Sequence, residues 1–520
     1  MQKATKVGVN SANKLEKLFC QCGRNEVSTS SKVEKPTISH DSKRHLHQAT
    51  ETKPINLPAT SLTTYLADTV SNFSSRDLSD TVTHRSKRTI LDIIGVGVIG
   101  SQTEVSQAYR DFASVSDGFN KKSKAAIWGV QHLKSSAPMA AYLNGASCHA
   151  MDFDDTWHPA THPSGPVLPA ILALSDWLPE SDKPSLHDVL VAYNIGIQVQ
   201  GALLRCSQQA RNIPHRLHPP SIVGVMGSAA ASSRLLGLGS KKCRHAMAIA
   251  ASFAGAPMAN AGTTTKPLHS GKSARFGLEA ALLASKGIEG NENILDMASG
   301  FGAFYDDYNP EKLLEEISQS DNMILHEQDI AIKRFPCHLG MHWGIDAAMR
   351  VREEMMNSVG KIVPEDIIEI KIIAPKSRYI NRPIPTSEHE ARHSFQFTVC
   401  SALLDGEVTP ETFHYGYRRR QTLHSLLHKT EVITPDDNIA SFENMYIEVA
   451  VCLKNGQIIQ SRCNTPYGHW RYPLSDQDIQ KKFTNNTKHL PAENRPEIIK
   501  LVQKMSKSKK STELTELLQL

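Results

Sequence analysis

The densest chemistry in the chain lies between Met151 and Gly165, Met-Asp-Phe-Asp-Asp-Thr-Trp-His-Pro-Ala-Thr-His-Pro-Ser-Gly. Asp152, Asp154 and Asp155 supply carboxylates there, His158 and His162 imidazoles, Thr156 and Thr161 hydroxyls, and Trp157 an indole. Pro159 and Pro163 break any helix across the stretch, so it is a loop. A loop this polar is costly to bury unless it has a chemical role. One reading is a solvated acidic loop whose Asp and Thr cap a helix. Another is a metal site, for which Asp and His are suitable ligands, and a metal-dependent hydrolase would use Asp152, Asp154 and His158. Neither an H-E-x-x-H motif nor a comparable helical ligand pair accompanies them.

Four more polar islands sit in apolar or Pro/Gly-marked surroundings: Arg216-Leu217-His218-Pro219-Pro220, Thr263 to His269, Lys333 to His338, and Tyr379-Ile380-Asn381-Arg382-Pro383. Singly, each has an ordinary explanation: Lys266 as a surface cation, His218 as a satisfied core imidazole, Tyr379 as a packing residue. Together they supply Lys, Arg and His in the quantity that a small polyanion needs. Two apparent nucleotide motifs fail. Gly95-Val96-Gly97-Val98-Ile99-Gly100 matches G-x-G-x-x-G, but Ile90, Leu91, Ile94 and Val98 step as in a helix where a strand is required, so its glycines point to close helix packing. Gly271-Lys272-Ser273 lacks the glycine five positions earlier, where Lys266 stands.

The elements that must position these residues change character along the chain. From Leu57 to about Gly302 the sequence is Ala-rich with helical period, as at Cys243, Ala246, Met247, Ala250 and Phe253. Past about Gln328, Ile368, Ile370 and Ile372 alternate with Glu369 and Lys371, the mark of a half-buried strand. Tyr446 to Leu453 and Gln457 to Arg462 flank Lys454-Asn455-Gly456, a hairpin signal. From Pro473 the pattern is helical again, and Lys504 to Lys510 reads as a solvated helix end or tail. The expected fold is therefore mainly α with an α+β lid. Residues 1–55 form a disordered basic extension, 56–328 the first segment of a helical domain, 329–465 the lid, and 466–520 the helical return.

Composition bounds the partners. The 520 residues carry 58 Lys+Arg and 53 Asp+Glu, and ten of those bases against five acids fall in the first 55 residues. The remainder is electrically balanced, without the broad positive field that follows a nucleic-acid backbone. No apolar run of about 18 residues exists to span a membrane. Nine cysteines, mostly far apart and without paired zinc spacing, suit a reducing compartment. The basic, acid-poor start of the extension is compatible with a mitochondrial presequence, although it is poor in Arg.

The blocks Met151 to Gly165, Arg216 to Ser221, Gly255 to His269, Gly300 to Tyr305, Lys333 to His338, Tyr379 to Phe395 and Tyr467 to Arg471 resemble the 2-methylcitrate dehydratase (MmgE/PrpD) superfamily. Within it they are most similar to the itaconate-forming carboxy-lyases of vertebrates, from about Thr60 to near the end of the chain. The resemblance implies a homodimer whose subunit has a large helical domain, made of N- and C-terminal segments, and a smaller α+β lid, with the active site in the cleft between them. It implies mitochondrial association and a role in inflammatory, antimicrobial responses. Carried over residue by residue, it designates Asp152, Thr156, His162, His218, Lys266, Lys333 and Tyr379, with His338 as an addition.

The implied reaction converts cis-aconitate to itaconate and CO2. The substrate carries about three negative charges near neutral pH, so cations must bind it. Loss of CO2 from the CH2-carboxylate arm leaves a carbanion that the adjacent double bond conjugates into another carboxylate. The substrate is its own electron sink, and no organic cofactor or metal is expected. On this view His162 delivers the proton, and Asp152 orients an imidazole or holds the loop. Lys266 and His218 stabilise the dienolate, while Thr156, Lys333, Tyr379 and His338 bind substrate. The carboxylate that leaves should be the one least well neutralised. A 2-methylcitrate dehydratase or related lyase on the same scaffold is the alternative.

Overall fold

Small residues at three- and four-residue steps decide how the first part of the chain packs, because they let helix backbones approach closely. The computed structural model describes residues 60–520 apart from 117–118, 120–121, 158–160, 211–215, 321 and 378–379. The basic extension, His158 and Tyr379 thus lie outside the described residues. The longer helices of the first part are α1 (Leu62–Asn72), α2 (Asp80–Gly100), α3 (Glu104–Ser116), α4 (Ala137–His149), α5 (Ser164–Trp177), α6 (Leu186–Leu204), α7 (Val223–Leu235), α8 (Ser240–Phe253), α9 (Lys266–Ser285) and α10 (Pro310–Ser318). Side-chain caps start several of them, such as Ser79 on α2 and the reciprocal Ser185 and Asp188 pair on α6.

The glycine triplet of α2 is a packing device. A Cβ at Gly97 would lie 2.8 Å from the Trp128 ring, and one at Gly100 only 1.9 Å from the Ser147 carbonyl oxygen. Gly271 works in the same way, since its Cβ would meet the Tyr142 carbonyl oxygen of α4 at 2.4 Å. The pattern that resembled a phosphate loop is thus the contact that lays α9 against α4.

A second apolar core forms around α11 (Met341–Val359), α12 (Phe395–Asp405) and a four-stranded sheet of β1 (Ile367–Ile373), β2 (Thr430–Ile433), β3 (Ile447–Leu453) and β4 (Ile458–Cys463). The strand order is β2-β1-β3-β4, with β1 parallel to β2 and antiparallel to β3, and β3 antiparallel to β4. The β3–β4 hairpin turns at Lys454–Gly456 with a positive φ at Gly456 alone. The alternation expected in β1 fails at two places. A register shift between Ile367 and Glu369 leaves Ile368 54% exposed, while Lys371 is buried. The bulge resets which face each residue takes.

The first core runs from Leu62 to Ile332 and resumes at Leu474 and then with Ile479 and Phe483 of α13 (Asp476–Asn486), continuing through α14 (Asn494–Lys504) to Leu518. Beyond the exposed lysines at 507, 509 and 510 the chain is no tail. Leu514 and Leu518 are buried, and the Thr515 hydroxyl donates to Asp176 at 2.6 Å. No helix among the described residues is long and apolar enough to cross a membrane.

Candidate active site

The α4–α9 contact sets the site. It brings His149, the last residue of α4, beside the first turn of α9, where Lys266 and His269 sit three residues apart on one face. The loop after α4 then passes between the two cores. Its carboxylates are not solvated: Asp154 and Asp155 are 0% exposed and Asp152 3%. Asp155 meets the start of α5, accepting from the Ser164 hydroxyl and, at 3.4 Å, from its N–H.

Three cations from distant segments hold three consecutive carbonyls of this loop. Arg392 donates to the Met151 oxygen at 3.2 Å, Lys333 to Asp152 at 2.9 Å and Lys482 of α13 to Phe153 at 3.0 Å. Between them Asp152 adopts φ +51, the left-handed region that non-glycine residues rarely enter. Thr156 exchanges backbone hydrogen bonds with Ala331 at 2.8 and 2.9 Å, tying the loop to the strand of chain that enters the second core.

The Asp152 carboxylate accepts from Lys266 at 2.6 Å and from Lys333, and the His393 ring nitrogen lies 3.1 Å away. Burial pushes this carboxyl up, and Lys266, Lys333 and His393 together outweigh it and hold it well below the usual range. Burial likewise opposes ionisation of Asp154, where His149 and His162 prevail and keep the carboxyl low. Asp155 has no cation partner among these, so burial and the charge of Asp154 push it up to about 8 despite Ser164. Burial drives the imidazoles of His162 and His218 well below their ordinary value, and Lys266 adds to it.

A small inner chamber opens between the two cores. Thr156, His162, His218, Lys266, His338 and His393 form its polar wall, and Met258, Ala261, Leu339 and Phe442 its apolar wall. The Thr156 hydroxyl is buried there without a hydrogen-bond partner among the described residues. His218 and His269 share a hydrogen bond between their Nδ1 atoms at 3.0 Å. The chamber, about 20 Å³, leads past Met258, Ala261, His338 and Phe442 into an outer cavity of about 1120 Å³ that carries Arg216, Lys376 and Arg382.

Of the residues singled out from sequence, Thr156, His162, His218, Lys266 and His338 face the chamber. Asp152 and Lys333 lie behind that wall. Asp152 is paired to the lysines, and the imidazole it meets is His393. Lys333 is 0% exposed and spends its hydrogen bonds on Asp152, so it supports the loop. His149, Asp154, His269, His393 and Arg392 are buried groups of this site that the sequence does not single out for the decarboxylation, Asp154 figuring there only as a candidate metal ligand. His269 follows Lys266 by one helical step, and that spacing was the available signal.

Donor nitrogens of His149, His162 and His218 come within 4.8 Å of one another, as do donor atoms of His149, Asp152, Asp154 and His162. This set does not suit a resident metal ion. Both aspartates are already committed, to Lys266, Lys333 and His149, and the two ammonium groups would repel a cation.

Comparison with known proteins covers nearly all the described chain. The MmgE/PrpD N-terminal domain matches residues 64–313 and the MmgE/PrpD C-terminal domain residues 335–507. The chain belongs to the MmgE/PrpD family. Among the relatives of this MmgE/PrpD protein, a cis-aconitate decarboxylase of Homo sapiens is 46% identical over 88% of the chain and 94% of the relative's own length. One from Mus musculus is 45% identical over 88% and 93%. A cis-aconitate decarboxylase of Aspergillus terreus is 27% identical over 55% of the chain and 59% of its own length.

Proposed function

We propose that this protein is a carboxy-lyase that converts cis-aconitate to itaconate and CO2. The observation that carries the reading is the two-sided chamber, in which Lys266, four imidazoles and the Thr156 hydroxyl, unpartnered among the described residues, face an apolar wall of Met258, Ala261, Leu339 and Phe442. Two carboxylates can be held on the polar side while the third is left against apolar groups, where nothing stabilises its charge and departure of CO2 is favoured. The similarity to the mammalian decarboxylases supports the same substrate.

The electrons released by C–C cleavage flow into the substrate's own double bond and on to a remaining carboxylate, where Lys266 and His218 stabilise the dienolate. His162 then protonates the far end of the allylic system, which leaves the double bond at the terminal methylene. Buried imidazoles here are neutral near pH 7 in the free protein, but a trianion raises their proton affinity, so substrate binding itself charges the acid. Thr156 and His338 orient the substrate, and Tyr379 is assigned to substrate binding with them. Closure of the second core over the chamber excludes water from the carbanion.

The protein is further proposed to act as a homodimer in mitochondria, within inflammatory and antimicrobial responses. The basic character of residues 1–55 and the kinship with vertebrate enzymes support this. The deciding experiment offers cis-aconitate and 2-methylcitrate in turn and follows products by proton NMR. Itaconate and CO2 from cis-aconitate are expected; alkene formation from 2-methylcitrate alone would replace the reading with a dehydratase.

A further inference from the structure

We propose that Asp154 and His149, neither of which lines the chamber, are positioning residues that set the tautomer of His162 and hold the proton it transfers. The inference rests on the decarboxylase reading and adds two residues to it. Both side chains are 0% exposed. A buried carboxylate is weak evidence for stability, since apolar residues of the same volume usually serve as well, so its presence behind a proton donor calls for another reason.

The geometry supplies that reason. One oxygen of Asp154 lies 2.7 Å from His149 Nδ1 and the other 3.5 Å from His162 Nδ1. The two rings lie close and tilted, with centroids 4.5 Å apart and planes at 58°. His162 Nδ1 also meets the Asp155 carbonyl at 2.8 Å, and a carbonyl only accepts, so Nδ1 carries hydrogen and Nε2 is left for the reacting carbon. An ionised Asp154 likewise accepts from His149 Nδ1–H. His149 Nε2 then remains a buried lone pair with no hydrogen-bond partner among the described residues. Asp154 is therefore an anion placed between two imidazoles whose tautomers it helps to fix.

The charge around the cluster explains why such an anion is needed. Lys333 lies 3.8 Å from Asp154, and Lys266 is held on Asp152 nearby; both oppose a proton on His162. His218, paired to His269, adds no negative charge. Asp155 is pushed towards its neutral form. Behind the loop the Asp92 carboxylate is matched by Lys482 at 2.7 Å, and Cys148, its thiol pushed up by burial, stays neutral. Asp154 is left as the carboxylate that favours the imidazolium. In the step itself the Nε2–H bond of His162 breaks, a C–H bond forms at the dienolate carbon, and His162 ends neutral. It takes up a proton from solvent again as the next trianion binds, so one proton is consumed for each CO2 released.

The test compares full-length variants by steady-state kinetics against pH. Asp154→Asn should lower kcat by about 100-fold, the scale of general acid catalysis, with KM changed by less than about threefold. Its kcat should also fail at lower pH on the alkaline side, because an acid deprived of its counter-charge loses its proton sooner. His149→Asn keeps a donor at the Nδ1 position and should retain most of kcat, whereas His149→Leu should lose at least about tenfold. A purely structural role would lower the two His149 variants alike and leave the alkaline limb in place. Either of these results, or kcat within twofold of wild type in Asp154→Asn, would overturn the inference. Should Asp154→Asn fail to fold, the His149 pair decides alone. A wild-type chain that makes no itaconate would instead overturn the decarboxylase reading beneath it.

Discussion

Two aspartates two residues apart do opposite work. Asp152, at φ +51, neutralises Lys266 and Lys333, whereas Asp154 faces the imidazoles of His149 and His162. His162 is proposed as the proton donor. His162→Gln should stay folded and lose turnover by at least about 100-fold, read as itaconate formation; near-wild-type turnover would shift the role to His218. Lys333→Met tests its assignment as a support. Removing one partner of a buried ion pair costs about 3 kcal/mol or more, so a large fall in thermal stability is expected together with lost activity. A variant that kept wild-type stability and only raised KM would return Lys333 to direct substrate binding.

Helix packing delivers the catalytic groups. The register of α4 on α9 depends on Gly271, whose Cβ would lie 2.4 Å from the Tyr142 carbonyl oxygen, a backbone atom that cannot turn aside. Gly271→Ala should therefore destabilise the protein by about 1–3 kcal/mol, the range for overpacking, measured by denaturant unfolding. It should also lower kcat, since His149, His269 and Lys266 shift together; unchanged stability would show that the contact gives way easily. The sheet core contributes Arg392 and His393 at the start of α12, and α13 contributes Lys482, so the loop is clamped from elements far apart in sequence.

At the scale of the molecule, burial of histidines dominates the response to pH. His162, His218, His269, His338, His342, His389 and His393 all have lowered proton affinity when folded, with His269 and His389 at about 4. Each contributes stability above its unfolded value near 6.5 that is lost as pH falls through the folded value. Asp155 at about 8 and Asp176 at about 6, with Asp92, Asp329, Asp346 and Glu448 also raised by burial, act in the opposite sense and lose stability as pH rises. The melting temperature should drop between pH 7 and pH 5, and a flat profile would contradict the buried neutral imidazoles. The chamber of about 20 Å³ is far below the roughly 300 Å³ at which ligand pockets usually begin, and on that ground the two cores are proposed to part as substrate enters. Hydrogen exchange in the segments around Met258 and Phe442 should slow when a non-reactive tricarboxylate binds; identical exchange would argue against that motion.

Local pattern was enough to read the helical period, the β3–β4 hairpin, the failure of the Gly95–Gly100 motif and the importance of the Met151–Gly165 loop, because each depends on neighbours in sequence. The same loop could equally have been solvated, and the phase of β1 was misjudged, because burial and bulges are set by what packs on top. Only the tertiary structure decided which carboxylate meets which cation. Charges act through space over a few ångströms, and the partners of Asp152 and Asp154 come from helix ends more than a hundred residues away as well as from their own loop.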